Sequence, residues 1–320
     1  MVAHSPFIPP FWLRHGHAQT IYGSLWAPAP AVPWKREIWP CPDDDFIHVD
    51  RWGETPDRPT FVIFHGLEGN TQSSYVKAMA HHAKQRGWNV VAPNFRGCSG
   101  TINRAPRLYH AGDSAEIHWI LEQLRDSSSL PLFAAGISLG GNMLLKWLGE
   151  QGKAATKLLT AAAAIAPPLE LAKVGRHLDT GFNRIYSRHF LASLKLKARE
   201  KFRQYPGLFD LASVLRATTL REFDDHFMAP LHGFSGVDDY WTRASSKPWV
   251  QSITVPTLLL NAKDDPFIPT DAHLLPQECP PALHLDQQPH GGHVGFVSAP
   301  FPGRLQWMPE RILQHLSSHA

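Results

Sequence analysis

The sequence predicts an α/β fold, a mostly parallel sheet flanked by helices with a helical cap inserted into it, and three observations carry that prediction. Apolar runs of strand length at Thr60–Phe64, Asn89–Pro93, Leu132–Gly136 and Leu159–Ile165 alternate with stretches of helical periodicity. From Pro167 to Trp249 there is no buried-strand signal, and the pattern is helical. Strand character returns at Val255–Asn261 and Ala282–Asp286, so the chain leaves the sheet and comes back to it. The expected division is an N-terminal arm over residues 1–40, a core over 41–166 and 250–320, and the cap over 167–249.

Residues 1–40 are rich in Pro, Trp and His and keep no clean period of 2 or 3.6, which predicts an extended arm lying over the body. Phe46–Trp52 (FIHVDRW) alternates apolar and polar residues, as a half-buried strand does. Thr60–Phe64 is apolar nearly throughout, ends at His65-Gly66, and reads as a strand buried on both faces. Ser74–Arg86 sets Val76, Met79, Ala80 and Ala83 on one helical face, with Gly87 behind it as a C-cap and His81 and His82 on the solvent side. A second buried strand, Asn89–Pro93, leads into a Gly-rich loop over 94–100. Ser114–Arg125 repeats the helical spacing through Ile117, Ile120, Leu121 and Leu124, after an Asp113 or Ser114 cap. The strand Leu132–Gly136, a helix from near Gly140 to Glu150 and a strand near Leu159–Ile165 complete the alternation. Inside the insertion, Phe182–Tyr205 is a basic helical stretch, and a final helix starts near Pro309, at its first position, burying Ile312, Leu313 and Leu316.

Composition narrows the function classes. Of 320 residues, 43% are hydrophobic and 18% charged, which excludes wholesale disorder. Thirty-one Lys and Arg against 28 Asp and Glu leave a net charge of +3, and the basic residues are mostly scattered, so no nucleic-acid partner is expected. Cys41, Cys98 and Cys279 are far apart and form no CxxC pair, which fits a reducing compartment. The first ten residues lack the apolar core of about 7–15 residues that a secretory signal needs. The longest apolar stretch, Leu158–Pro168, falls short of the about 20 residues that span a bilayer. A cytoplasmic chain without stable membrane insertion is the expectation.

The sharpest local signal is Gly136-Ile137-Ser138-Leu139-Gly140-Gly141, between a buried strand and a helix. On such a turn the small residues at 136 and 140 let the serine hydroxyl stand clear of the sheet, above a helix N-terminus that favours developing negative charge. Asp264 and Asp265 follow a buried strand, where a loop at the carboxyl edge of the sheet can present a carboxylate. His293 lies in a Gly-rich loop beyond the next strand, with His290 three residues before it. A serine hydroxyl needs a base within hydrogen-bond reach, and an imidazole serves well when a carboxylate fixes its tautomer. His293 is preferred over His290, because Gly291-Gly292 suits a loop that brings an imidazole over a nucleophile. Asp265 is preferred because Asp265-Pro-Phe-Ile-Pro269 resembles the Asp-x-x-x-Pro turn of many serine hydrolases, with Asp264 the alternative. A tetrahedral oxyanion needs two N–H donors, and the expected pair is Leu139, after the serine, and Leu67, in the loop that closes Thr60–Phe64.

The order Ser138, Asp265, His293 is that of α/β-hydrolases. The chain resembles the YheT-like branch of that superfamily, a group of predicted esterases and lipases with membrane-anchored eukaryotic relatives. Matching segments are 9–13 (PPFWL) with 17–20 (HAQT), 64–69 (FHGLEG), 94–100 (NFRGCSG), 109–112 (YHAG), 136–142 (GISLGGN), 261–267 (NAKDDPF) and 290–296 (HGGHVGF), spread over nearly the whole chain. The resemblance implies the α/β-hydrolase fold and cleavage of carboxylic esters, short-chain esters or acylglycerols, through those three residues. A small-molecule or lipid ester is then the partner. Two other readings stay open: acyl transfer to an alcohol through the same acyl-enzyme, and a non-catalytic ligand-binding protein on the same scaffold.

Nineteen histidines invite a metal, yet no HExxH or CxxC spacing occurs and no metal is expected. The 94–100 loop lacks the Gly-x-x-x-x-Gly-Lys-Ser/Thr pattern, so no nucleotide or other cofactor is expected either. Cys98 reads as a small packed thiol. Arg184, Arg188, Lys195, Lys197, Arg199, Lys201 and Arg203 form the one local concentration of positive charge, and with Phe190, Leu191, Leu194 and Leu196 nearby an amphipathic helix there could touch an anionic lipid surface. The last five recur at every second position, which spreads them around a helix, so a solvated part of the cap is the preferred reading.

Overall fold

A computed structural model describes residues 5–320. Among them the strands are β1 (Lys35–Pro40), β2 (Phe46–Trp52), β3 (Thr60–Phe64), β4 (Asn89–Asn94), β5 (Leu132–Ile137), β6 (Ala161–Ile165), β7 (Thr257–Ala262) and β8 (Leu283–Gln288). They form one sheet in the order β1-β2-β4-β3-β5-β6-β7-β8. Six strands, β4 to β8 by way of β3, run parallel, while β1 and β2 pair antiparallel at one edge. The parallel core is apolar on both faces because helices cover both. In the middle strands Phe64 stands opposite Gly136, and Gly136 opposite Ala164. Their carboxyl ends are therefore level, and the residues that follow emerge side by side at one edge, where ligands bind in open α/β sheets.

The helices are α1 (Gly16–Leu25), α2 (Ser74–Gln85), α3 (Ser114–Asp126), α4 (Leu139–Gln151), α5 (Leu171–Leu178), α6 (Arg184–Gln204), α7 (Leu211–Arg216), α8 (Leu220–Phe223), α9 (Ala229–Leu231), α10 (Val237–Ala244) and α11 (Trp307–Ser317). Four consecutive alanines in β6 keep that strand thin, so α4 and α11 pack directly on it. Between β6 and β7 the described chain runs through α5 to α10 and no strand.

Several expectations need correction. The first 40 residues are not simply an extended arm: they hold α1 and β1, with residues 1–4 outside the described residues. The buried side of α1 is Gly16, Gln19, Thr20 and Gly23, so it carries no apolar stripe to read. Pro309 is the third residue of α11, not the first. Asp113 precedes α3 without a capping bond, because its carboxylate is taken by Arg107. His81 and His82 are half-buried, and burial lowers the pKa of His82. The alternating basic run on α6 is not simply solvated. Lys195 donates to Leu215 O and Ala217 O at 2.9 and 2.6 Å, and Lys201, fully buried, to Asn103 O and Ala105 O at 2.8 and 2.5 Å. Loss of water pushes the Lys201 ammonium down to about 8. In the 94–100 loop, Arg96 is consumed by Glu116 and Asp45, at 2.5 and 2.7 Å.

Candidate active site

Ser138 sits between β5 and α4 with φ 51° and ψ −117°, a conformation that costs a non-glycine residue about 1–3 kcal/mol. Its neighbours hold it there. The Ser138 N–H donates to Ile165 O at 2.8 Å, and its carbonyl accepts from Asn142 N at 3.0 Å. A Cβ on Gly140 would come within 2.6 Å of Phe64 O, and one on Gly136 within 2.7 Å of Gly141 Cα, so only glycine lets the turn close this tightly.

The structure brings all three predicted side chains together. His293 Nε2 lies 2.8 Å from Ser138 Oγ, and His293 Nδ1 lies 2.8 Å from Asp265 Oδ2. The carboxylate can only accept, so Nδ1 carries the proton and Nε2 is left to accept the serine O–H. Asp265 is buried, and its Oδ1 also accepts from Phe267 N at 2.7 Å, which fixes the carboxylate. Phe267 stacks on the imidazole with ring centroids 4.0 Å apart. Asp264 is excluded from the relay: it accepts the Gly292 N–H at 2.9 Å and lies 3.3 Å from His290 Nδ1. It therefore shapes the loop, and His290 stands at the rim with its ring half-exposed.

The Leu67 and Leu139 N–H groups find no protein acceptor among the described residues. The loop that carries Leu67 is pinned from three sides. Gly66 N donates to Tyr75 Oη, and Glu68 N to Tyr109 Oη, each at 2.9 Å. His65 Nε2 accepts from Phe95 N at 3.0 Å, so its Nδ1 bears the proton and donates to Gly66 O at 2.8 Å. Burial pushes the pKa of His65 down to about 3, and the ring stays a neutral strut. Glu68, at φ 55°, completes the loop by pairing with Lys197 of α6 at 2.6 Å. Lys197 also lies 3.1 Å from Cys98, a buried thiol whose pKa burial pushes up to about 11, which suits packing and not nucleophilic attack.

Residues of α1 form a part of the site that sequence reasoning missed. Gln19, fully buried, donates to Leu13 O and Val297 O at 2.9 and 3.1 Å and accepts the Val297 N–H at 2.8 Å. Thr20 Oγ1 accepts the His293 N–H at 2.8 Å. Gly292 (φ 60°) lies so close to Gly16 O and Thr20 Oγ1 that a Cβ has no room. The helix is thus a clamp on the histidine loop. At about 1 kcal/mol per hydrogen bond it outweighs one strained residue of that loop, such as Val294 at φ 61°. The matching segment 17–20 was visible, but nothing in it named this role.

Two cavities meet at Ser138, Leu67, Phe190, Phe267 and His293. One runs into the insertion and is mostly apolar, lined by Leu171, Val174, Leu178, Leu194, Met228 and Trp241. The other opens between α1 and α6 and offers polar groups, among them Glu68, Ser73, Tyr75, Tyr186 and His189. One carboxyl faces the apolar cavity: Asp224, which accepts from Trp241 Nε1 at 2.7 Å and which burial pushes up to about 7. Its folded pKa lies above the unfolded value, so the stability it contributes is full below about pH 4 and is lost as pH rises through 7. Asp224→Asn keeps an acceptor for Trp241 and has no charge to bury. It is expected to raise the melting temperature by several degrees at pH 8 and hardly at all at pH 4; equal shifts at both values would contradict this account.

Among the described residues no group of three or more His, Cys, Asp or Glu is placed to hold a metal ion, and no helix is long and apolar enough to cross a membrane. Residues 59–300 match the family described as "alpha/beta hydrolase fold". The chain is 36% identical to YheT of Escherichia coli (strain K12), over 98% of this chain and 93% of that protein. It is 28% identical to the Homo sapiens protein named Phospholipase ABHD3, over 99% of this chain and 80% of that protein. The solved esterase Pf2001 of Pyrococcus furiosus shares the fold, with a TM-score of 0.56 at 16% identity over 99% of each chain.

Proposed function

The chain belongs to the α/β-hydrolase family and is a hydrolase, and from that premise we propose that it cleaves carboxylic esters through Ser138, His293 and Asp265. One observation carries the reading: the relay of two 2.8 Å contacts from Ser138 through His293 to Asp265 opens where an apolar and a polar cavity meet. In this mechanism Ser138 Oγ attacks the ester carbonyl while His293 Nε2 takes its proton. The imidazolium is held by Asp265, and the Leu67 and Leu139 N–H groups receive the oxyanion, a pair of donors each worth about 3 kcal/mol in comparable sites. His293 then passes the proton to the leaving alcohol, and a water activated by the same ring releases the acid.

The division of the cavities supports an orientation. The acyl chain enters the apolar cavity under α5 and α6, and the alcohol lies toward Tyr186 and His189. Residues 167–249 act as the cap that sets acyl length. The test is labelling by a fluorophosphonate, with p-nitrophenyl esters of increasing chain length as substrates. The expected result is one label, on the peptide that holds Ser138, with loss of turnover in proportion. Label elsewhere, or turnover that survives full labelling, would overturn the assignment.

A further inference from the structure

Four segments border the opening between α1 and α6; one, residues 66–75, brings Glu68, whose carboxylate is paired with Lys197 at 2.6 Å, and the other three are residues 5–36, which hold α1, residues 180–199, which hold the first turns of α6, and residues 287–309, which hold the histidine loop. None of these last three contains an Asp or a Glu, in a chain that has 28 of them. Arg14, Arg184, Arg188 and Arg304 stand exposed in these segments, and none has a carboxylate partner among the described residues. The unpaired charge is accordingly all of one sign, on the face where substrate must enter.

The same segments carry most of the large apolar side chains that the fold leaves in water. Phe11, Leu25, Trp26, Phe182, Ile185 and Phe301 are all exposed, Trp26 at 64% and Phe301 at 74%. Two of them, Phe301 and Trp26, are joined through a chain of aromatic rings. Phe301 packs on Trp12, Trp12 on Tyr22 and Tyr22 on Trp26, with centroids 5.6, 5.1 and 6.2 Å apart. Phe182 packs edge-on against His17 at 4.9 Å, while Leu25 and Ile185 line the polar cavity from opposite sides. Scattered exposed apolar residues need no explanation, whereas a connected set around an opening marks an interaction surface. Aromatic residues beside arginines, with acid excluded, are the composition of a surface that sits at a lipid headgroup layer.

We propose that this face docks on an anionic lipid bilayer, with α1 and the start of α6 in the headgroup region and the opening of the polar cavity turned toward the membrane. Charge selects this occupant. A neutral protein surface would leave four unpaired arginines at its edge, while anionic headgroups supply partners to all of them without a fixed geometry. Docking requires no chemistry at Ser138, so it stands or falls apart from the proposed reaction.

The experiment is sedimentation of the full chain with vesicles of phosphatidylcholine containing roughly 30% phosphatidylglycerol, against phosphatidylcholine alone, at low and high salt. Binding to the anionic vesicles at least about tenfold tighter than to the neutral ones, and weakened about tenfold or more by high salt, is the expected result. The double variant Trp26→Asp/Phe182→Asp should lose binding about tenfold or more, and Arg184→Glu/Arg188→Glu likewise, each with an unchanged melting temperature showing that the fold is intact. Absence of binding, equal binding to neutral vesicles, or full binding by the aromatic variant would each overturn the proposal. So would a dimer, seen without vesicles, that the aromatic variant abolishes, because the face would then belong to a second copy of the chain.

Discussion

Ser138→Ala is expected to lower kcat for p-nitrophenyl butyrate by about 10⁵-fold or more, the scale seen when a serine hydrolase loses its nucleophile. The substitution removes one oxygen from a half-buried position and leaves the backbone bonds to Ile165 and Asn142 in place. The strained φ of 51° is no worse for alanine than for serine, so the melting temperature should hold. His293→Ala is expected to fall to the same floor, and the double variant no further, since nucleophile and base act in one step. Residual rate above the uncatalysed reaction would come from the Leu67 and Leu139 N–H groups and from binding. Additive losses in the double variant, or a Ser138→Ala protein within tenfold of the parent, would mean that the 2.8 Å contact between these side chains is not used in turnover.

The two adjacent aspartates provide the second large effect. Asp265→Asn is expected to lower kcat by about 10⁴-fold, while Asp264→Asn costs less than about tenfold. Asp265 accepts from both Phe267 N and His293 Nδ1. In the asparagine variant one oxygen cannot serve both, and an NH₂ group turned to His293 forces the proton onto Nε2. The imidazole would then point a donor at Ser138 and could no longer take its proton. Asp264 accepts a backbone N–H from Gly292, which an asparagine oxygen serves equally well. Steady-state rates and melting temperatures of the two variants check this together. A reversed order of effects would move the carboxylate role to Asp264.

Why the three side chains proposed as nucleophile, base and carboxylate stand out in the chain is a matter of where they lie. Ser138 and Asp265 follow strands that are buried on both faces, and such runs are the strongest signal a parallel sheet leaves in a sequence, whereas His293 follows the mixed edge strand β8 and is marked by the Gly-Gly before it. The clamp on the histidine loop left no comparable trace. Gln19 and Thr20 work through polar bonds, and Gly16 and Gly292 through close approach, so α1 has no hydrophobic period and its residues looked like a featureless arm. The inward lysines of α6 were hidden for a related reason. Alternating charge on a helix spreads over all faces, and nothing in the chain says that Lys197 and Lys201 meet acceptors supplied by loops 129 and 98 residues earlier. Between Asp264 and Asp265 the Asp-x-x-x-Pro turn leaves only a preference for Asp265, and the fold then turns that carboxylate toward His293 and the Asp264 carboxylate toward Gly292 and His290.

The bond between Lys197 and Glu68 bears on how such enzymes can be rebuilt. The insertion is the region one would exchange between relatives to move a chain-length preference from one protein to another. Here its longest helix reaches into the core, where Lys197 holds the loop of Leu67 and Lys201 is buried against Asn103 and Ala105. A graft that ends at the sheet boundaries would carry a new binding chamber and discard a support of the loop proposed to supply an oxyanion donor. Successful transplants will have to move residues 66–69 and 103–105 with the insertion, as one inherited unit spread over three stretches of chain.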